Sequence, residues 1–245
     1  MAFLHYRSGP FFIERSKQIA GTTPIYDMAL SFMASSEDPI SGGRHKVLGS
    51  KELNIPPQTS TIASHVPKAV GTAFSIDRAK DLDIQERELK GNSIVLCSFG
   101  DASANHATAL SAFNTASWVT SQGGHVPIIF ICEDNGTGIS VPTDDKWIEQ
   151  NYNNRHGIDY IQTDGLDLID LMIKSRRTEH DCRINRSPIF LHMKTVRLMG
   201  HAGSDVELGY KSLSEIEATE FNDPLLHSAR ILMENGCLSA VDILE

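Results

Sequence analysis

The stretch SIVLCSFGDASANHATALSAFN, residues 93–114, combines an apolar run with a run of small and helix-forming residues. The apolar run at 93–99 predicts a buried strand, and the residues from about 103 to 120 predict a helix. Between them, Gly100 and Asp101 leave a carboxylate and free backbone N–H groups at the carboxyl end of the strand. Such a turn can hold a metal ion and a phosphate, although Gly-Asp after a strand is also typical of an ordinary capping turn.

The rest of the chain repeats this alternation of apolar strands and helices. Further strands are predicted at 126–132, 159–162 and 188–196, and further helices at 23–34, 64–80 and 166–180. Residues 35–60 and the charged segment 82–92 predict irregular connections. Short continuous apolar strands between amphipathic helices are typical of a parallel sheet that is covered on both faces. We therefore predict an α/β fold, with a mostly parallel sheet and helices on both faces, in a single domain spanning 1–245.

The composition excludes several classes of function. The chain has 245 residues, of which 40% are hydrophobic and 22% charged, as in ordinary soluble domains. Its net charge is −9 and its Lys and Arg residues are dispersed, so we expect no nucleic-acid partner. No apolar run approaches the ~20 residues that span a bilayer, so we expect no membrane partner. The four cysteines lack CxxC spacing and no secretory signal is recognisable, which predicts reduced thiols and a cytoplasmic location.

A second polar loop, EDNGTGISVPT at 133–143, follows the strand predicted at 126–132. Right-handed crossovers make such strands neighbours or near-neighbours, and α/β sheets bind ligands at the carboxyl ends of their strands. The Asp101 carboxylate and the Asn135 amide oxygen can therefore converge. Oxygen ligands of this kind suit Mg²⁺, which shares its coordination sphere with substrate phosphates.

Small residues surround both of these candidate ligands. Ala102 and Ser103 allow phosphate oxygens to approach the backbone N–H groups that follow Asp101. Gly136 and Gly138 flank Thr137 and permit a tight turn whose carbonyl can face the metal ion. An Asn-Gly pair by itself equally indicates an ordinary turn, so the interpretation depends on the two loops occurring together.

Taken together, these segments resemble the α subunits of thiamine diphosphate-dependent 2-oxoacid dehydrogenase E1 components. GDASAN followed by CEDNG resembles the family's cofactor motif, in which Gly-Asp-Gly precedes a distant Asn-Asn. Further segments resemble the family in the same order: HYRSGPFF (5–12), GGRHK (42–46), TSTIASHVPKAVGTAF (59–74), ISVPT (139–143) and RLMGHAGSDVELGYKS (197–212). The resemblance covers most of residues 5–212 and implies the thiamine diphosphate-binding fold.

The resemblance assigns a set of residues to the cofactor. They are Tyr6, Arg7, Ser60, Ile62, Gly100, Asp101, Ala102, Ser103, Asn135, Thr137 and His201. It implies that Asp101, Asn135 and the carbonyl of Thr137 bind Mg²⁺. Tyr6 and Arg7 contact the diphosphate, for which the planar guanidinium group of arginine is well suited.

The remaining roles also come from the resemblance. Ala102 and Ser103 offer backbone N–H groups to phosphate, and the backbone of Ser60 and Ile62 meets the aminopyrimidine ring. Ile62 also lies between the two rings of the cofactor and enforces its bent conformation. His201 matches the family's active-site histidine, which can exchange a proton near neutral pH.

Several positions depart from the family pattern. Ala102 replaces the third glycine of the motif, which is tolerable only if its φ is negative. Asp134 adds a charge beside the metal loop. His65 replaces a glutamine near a monovalent-cation site, so we expect no bound potassium. The family's preceding segment is missing and the sequence stops within an apparent helix, so we expect a fragment or the α-like half of a fused α–β chain.

The implied reaction is oxidative decarboxylation of a 2-oxoacid with acyl transfer to the lipoyl arm of an E2 partner. GGRHK and ISVPT favour the 2-oxoisovalerate type, while pyruvate or acetoin dehydrogenase remains an alternative. A second alternative is a non-catalytic remnant that binds cofactor or builds an interface. A transketolase-like half is disfavoured. In this family a glutamate of the β subunit activates the cofactor. We therefore expect an E1 β-type partner, a heterotetramer, and no activity of this chain alone.

Overall fold

In the computed structural model, residues 1–244 are described, and most of their strands form one parallel sheet. The strands are β1 (Ala2–Phe3), β2 (Val95–Gly100), β3 (Ile128–Asp134), β4 (Thr137–Gly138), β5 (Val141–Pro142), β6 (Asp159–Asp164) and β7 (Ile189–Lys194). The main sheet has the order β1-β2-β3-β7-β6, and every pairing in it is parallel. Strands β4 and β5 form a separate antiparallel hairpin. The predicted α/β fold with a mostly parallel sheet is confirmed.

Helices cover both faces of this sheet. They are α1 (Gly9–Ser16), α2 (Pro24–Phe32), α3 (His65–Asp81), α4 (Ala107–Ser121), α5 (Trp147–Tyr152), α6 (Leu168–Asn185), α7 (Leu213–Glu220), α8 (Pro224–Glu234) and α9 (Ala240–Leu244). Helices α3, α4 and α5 share one hydrophobic core with the strands, whereas α6 packs into a separate cluster. Among the described residues, no helix is long and apolar enough to cross a membrane.

Strand β2 is apolar at nearly every position because both faces of the sheet are covered there. Val95, Cys97 and Phe99 point into the core beneath α3 and α4, while Leu96 packs against the clusters on the opposite face. Successive side chains of a strand point to opposite faces, so a strand between two helical layers must be apolar at nearly every position. The fully buried ring of Phe113 in α4 lies against Phe99 and other aromatic rings of the main core.

The helix predicted to begin near residue 103 begins later. A 3₁₀ turn spans Ala102–Asn105, His106 is extended with φ −68° and ψ 135°, and α4 starts only at Ala107. The His106 side chain caps α4 by accepting the N–H of Thr108 at 3.2 Å. The backbone N–H groups that follow Asp101 therefore belong to a 3₁₀ turn and not to the first turn of an α-helix, which corrects the expectation from sequence.

Other elements were not predicted. The loop at 133–143 contains the β4–β5 hairpin, and β1, α1, α5, α7 and α8 have no counterpart among the sequence-based elements, whereas α9 matches the apparent helix at the end of the sequence. The irregular connections at 35–60 and 82–92 are confirmed, apart from one isolated bridge between Ser50 and Ile55. The remaining predicted helices and strands occur with boundaries that differ by a few residues.

A buried ion pair ties the end of α6 to α3. Arg186 follows α6 with φ 54°, and its guanidinium donates to both carboxylate oxygens of Asp77 at 3.0 and 3.1 Å. The same guanidinium donates to the Ser93 carbonyl at 2.9 Å, just before β2 begins. Because the two side chains are 13% and 12% exposed, this pair fastens both helical layers at the edge opposite the carboxyl ends of the strands.

Candidate active site

A cleft of about 390 Å³ opens at the carboxyl edge of the sheet. Nine of the eleven residues predicted for the cofactor line it: Tyr6, Arg7, Ile62, Gly100, Asp101, Ala102, Ser103, Thr137 and His201. Ser60 lines an adjoining smaller pocket that shares Tyr6 and Ile62 with the cleft. These residues come from segments distant in sequence, and the parallel strands bring those segments to one edge.

Asn135 is the predicted ligand whose side chain does not line the cleft. Its Oδ1 accepts the N–H of Thr137 at 3.1 Å, which shapes the turn that leads into β4. An amide oxygen has two lone pairs, so this hydrogen bond leaves one lone pair for a metal ion. The β2–β3 register pairs Gly100 with Glu133, so the loops that carry Asp101 and Asn135 start side by side.

The Asp101 carboxylate is buried, with 2% of the residue exposed. Burial raises the pKa of Asp101, the nearby charge of Asp134 raises it further, and a hydrogen bond from the Thr143 hydroxyl opposes the shift. Thr143 also donates its N–H to the Gly136 carbonyl at 2.9 Å, so it links the loop at 133–143 to Asp101. A carboxylate whose ionised form is disfavoured by burial gains strongly from a bound cation. The role of Thr143 could not be predicted from sequence, because a threonine after proline carries no distinctive signal.

Arg7 is placed to bind an anion in the cleft. Its guanidinium lies 5.3 Å from the centre of the Tyr6 ring, and within residues 1–244 no protein group accepts a hydrogen bond from it. A Cβ atom at Gly100 would lie 2.9 Å from Arg7 Nη2, so the absence of a side chain there lets the guanidinium cross the end of β2. An arginine with five unused donors in a cleft is suited to phosphate oxygens.

His201 closes the other side of the cleft. Its ring meets the Tyr6 ring edge-on, with 5.6 Å between centroids and an interplanar angle of 79°. Its Nδ1 is buried and has no hydrogen-bond partner among the described residues. Buried polar atoms are normally paired, so this nitrogen indicates a polar ligand atom at this position.

The loop that carries His201 is held by its own polar network. Asp205 Oδ2 accepts the N–H of His201 at 2.6 Å and the hydroxyl of Tyr210 at 2.8 Å. Arg197 donates to the Tyr210 hydroxyl at 3.0 Å and to the Ile139 carbonyl at 2.8 Å. These contacts join the histidine loop to the tip of the β4–β5 hairpin. Ile139 itself has φ 58°, an unusual conformation for a β-branched residue.

Helix α5 supports the 3₁₀ turn that follows Asp101. The buried Tyr152 donates its hydroxyl to the Ala104 carbonyl at 3.0 Å, and the Trp147 indole donates to the Asn105 side chain. The backbone N–H of Ser103 has no protein acceptor within residues 1–244, so it can meet a phosphate oxygen. The buried Ile148 and Tyr152 are four residues apart, a helical spacing that the sequence analysis overlooked.

The residues present fit a magnesium–diphosphate group. Among residues 1–244, the cleft offers a buried carboxylate, an arginine without a protein acceptor, a free backbone donor and an unpaired buried imidazole nitrogen. No group of three or more His, Cys, Asp or Glu side chains able to hold a metal occurs in the described part of the chain. The predicted ligands are instead one carboxylate (Asp101), one amide oxygen (Asn135) and one backbone carbonyl (Thr137), and Mg²⁺ accepts hard oxygen ligands of these kinds.

Ala102 and Gly138 form a complementary pair between the two loops. Ala102 has no positive φ, so its methyl group is tolerated where the family motif has glycine. A Cβ atom at Gly138 would lie 2.9 Å from the Ala102 Cβ. We expect Gly138→Ala to lower the free energy of unfolding by about 1–3 kcal/mol, as overpacking does. Denaturant unfolding checks this value.

The reciprocal substitution tests the same contact. In the double variant Ala102→Gly/Gly138→Ala one methyl group replaces the other, so we expect most of the stability to return. Equal stability of the single and double variants would show that this contact does not control the approach of the two loops.

A parallel α/β sheet with a buried carboxylate and an arginine side chain in a cleft at its carboxyl edge is the arrangement in which α/β domains commonly bind ligands. The chain belongs to the dehydrogenase E1 component family, whose model matches residues 1–242. Members of this family depend on thiamine diphosphate, and the predicted fold class is confirmed at this level too.

Curated relatives agree with this family. The chain is 29% identical over 205 residues to the mitochondrial 2-oxoisovalerate dehydrogenase subunit alpha of Caenorhabditis elegans, which is 81% of this chain and 44% of the relative. It is 27% identical to the 2-oxoisovalerate dehydrogenase subunit alpha of Bacillus subtilis, and the match covers 94% of this chain and 67% of the relative. It is also 27% identical to the mitochondrial pyruvate dehydrogenase E1 component subunit alpha of Dictyostelium discoideum, and the match covers 71% of this chain and 43% of the relative. The chain thus spans less than half the length of two of these relatives and about two thirds of the third.

Proposed function

We propose that the chain acts as the α-type part of a 2-oxoacid dehydrogenase E1 component and holds thiamine diphosphate with Mg²⁺ in the cleft. One observation carries the proposal: nine of the eleven residues expected for the cofactor meet in one cleft. Asp101, Asn135 and the Thr137 carbonyl would hold the metal ion, while Arg7 and the Ser103 N–H would hold phosphate oxygens.

The chemistry divides between the cofactor and the chain. When bound, thiamine diphosphate supplies the carbanion that allows a 2-oxoacid to lose CO₂. The residues of this chain bind and orient the cofactor, and the metal ion serves as a template for the diphosphate. The proposed role of His201, whose Nδ1 has no hydrogen-bond partner within residues 1–244, is to hold or move a proton during acyl transfer to a lipoyl group.

We propose a 2-oxoacid of the 2-oxoisovalerate type as substrate. The worm and Bacillus relatives are named for that substrate, whereas the Dictyostelium relative is named for pyruvate. We expect the chain, reconstituted with an E1 β-type partner, to show at least about tenfold higher kcat/KM on 2-oxoisovalerate than on pyruvate, since a few buried methyl groups contribute this much. Steady-state decarboxylation assays with both acids measure the ratio, and a preference for pyruvate would contradict the choice of substrate.

The same assay tests the partner. We propose that a β-type subunit supplies the glutamate that activates the cofactor and that a lipoyl-bearing E2 accepts the acyl group. The chain alone is therefore expected to release no CO₂ from either acid, and activity should appear when the β-type partner is added. Full activity without a partner would contradict this division of roles.

A non-catalytic remnant that only binds cofactor or builds an interface is the alternative. Ala102 and the missing N-terminal segment motivate it, and the first reason weakens because Ala102 has no positive φ. Calorimetry of thiamine diphosphate with Mg²⁺ and a β-type partner separates the alternatives. Binding without turnover would favour the remnant, and binding with turnover would favour the enzyme.

A further inference from the structure

A buried polar cluster lies behind the loop at 133–143, which carries the candidate metal ligands Asn135 and Thr137. Asp134 Oδ2 lies 2.7 Å from His192 Nε2 and 2.7 Å from Lys194 Nζ, and Asp134 Oδ1 accepts the Gly136 N–H at 3.1 Å. His192 is fully buried, and its Nδ1 lies 2.6 Å from the Tyr160 hydroxyl. We propose that this Asp134–His192–Lys194 cluster is a positioning device that fixes the loop of the candidate metal site. The inference rests on the proposed function.

The charges explain why the loop needs such a cluster. The buried side chains of Asp101 and Asp134 place two carboxylates at this edge of the sheet. Asp134 Oδ2 lies 2.7 Å from both His192 Nε2 and Lys194 Nζ, so the Lys194 ammonium group offsets one of the two negative charges. Lys194 therefore lowers the negative charge that a diphosphate would meet in the cleft.

Lys194 also reaches the other half of the site. It lies opposite Asp134 in the β3–β7 register, and its Nζ donates to the Asp145 carbonyl at 3.1 Å. Two residues earlier, Thr143 donates its hydroxyl to Asp101. A single side chain of β7 therefore holds both the loop that follows β3 and the segment that contacts the Asp101 carboxylate.

Replacing Lys194 by methionine tests this role. The Lys194 side chain is 34% exposed, so the variant is expected to fold, while the Asp134 carboxylate keeps His192 as its side-chain partner but loses the ammonium group. In the chain without ligand, we expect the amides of Gly136 and Thr143 to exchange at least about tenfold faster. With the β-type partner and saturating Mg²⁺, we expect the affinity for thiamine diphosphate to fall about 10- to 100-fold, as when a partner of a metal ligand is lost.

A second substitution should rescue the first. Asp134→Asn/Lys194→Met removes the unpaired charge, and the asparagine oxygen can still accept the Gly136 N–H. We expect amide exchange and affinity within about threefold of the unsubstituted chain, because replacing a buried ion pair by neutral groups costs far less than breaking it. Lys174→Met is the matched control. It breaks an ion pair of similar length, 2.8 Å to Asp170 on α6, and should change neither measurement.

Two results would overturn the role of the cluster. One is amide exchange in Lys194→Met that matches Lys174→Met or rises uniformly along the chain. The other is a double variant in which Gly136 exchanges faster than in Lys194→Met. If the unsubstituted chain with its partner binds no thiamine diphosphate, the proposed function fails, and the exchange measurements still decide whether the cluster fixes the loop.

Discussion

Replacing Asp101 by asparagine is expected to lower the Mg²⁺-dependent affinity for thiamine diphosphate by more than about 100-fold, since loss of a group that only supports a metal ligand already costs 10- to 100-fold. Asp101 supplies the only carboxylate of the candidate ligand set, and Asn keeps its size without its charge. Calorimetric titration of the chain and a β-type partner, with and without Mg²⁺, measures the change.

The same substitution should raise the stability of the chain when Mg²⁺ and cofactor are withheld. Burial raises the pKa of Asp101, so the ionised carboxylate destabilises the folded state at neutral pH and a neutral amide removes that cost. We expect a higher Tm for Asp101→Asn. The control is Asp170→Asn, which loses the negative charge that pairs with Lys174 at 2.8 Å and should not gain stability. Unchanged affinity in Asp101→Asn would remove this residue from the metal site.

Asp77→Ala is expected to have the largest effect on stability, a loss of about 3–5 kcal/mol in the free energy of unfolding. The substitution leaves the Arg186 guanidinium buried with only the Ser93 carbonyl as partner, and it separates α3 from the end of α6. Denaturant unfolding followed by circular dichroism gives the value.

Two further variants show whether the loss comes from the unpaired charge. Asp77→Leu/Arg186→Met removes both charges and should be more stable than Asp77→Ala. Glu179→Ala breaks the ion pair with Arg183 on α6, where the side chains are 48% and 35% exposed, and should cost less than about 0.5 kcal/mol. A loss in Asp77→Ala as small as that in Glu179→Ala would show that the pair does not fasten the two layers.

The fold could be predicted because its strands are buried on both faces. Such strands are continuous apolar runs, as in β2 and β3, and the helices between them are long enough to show their pattern. The two-residue β1 is too short for any period, and α5 is a single short helix. The break at His106 depends on its imidazole, which caps α4 by accepting the Thr108 N–H, and a sequence full of small residues gives no sign of it.

The candidate site could be predicted where it lies in contiguous motifs. The Gly-Asp and Asn-Gly turns mark the ends of β2 and β3, and the resemblance supplied Tyr6, Arg7 and His201. The supporting contacts were missed because their partners are distant in sequence. Asp134 meets His192 and Lys194 only because β7 lies beside β3, although 58 residues separate Asp134 from His192. That adjacency follows from the strand order and not from any local pattern.

A crystal structure of the chain with a β-type partner, Mg²⁺ and thiamine diphosphate would show whether Asp101 and Asn135 hold the metal ion together. We expect the metal ion at ~2.0–2.1 Å from an Asp101 carboxylate oxygen, the Asn135 amide oxygen and the Thr137 carbonyl, with the diphosphate against Arg7. Diphosphate bound outside this cleft, or a metal ion that contacts neither Asp101 nor Asn135, would contradict the account.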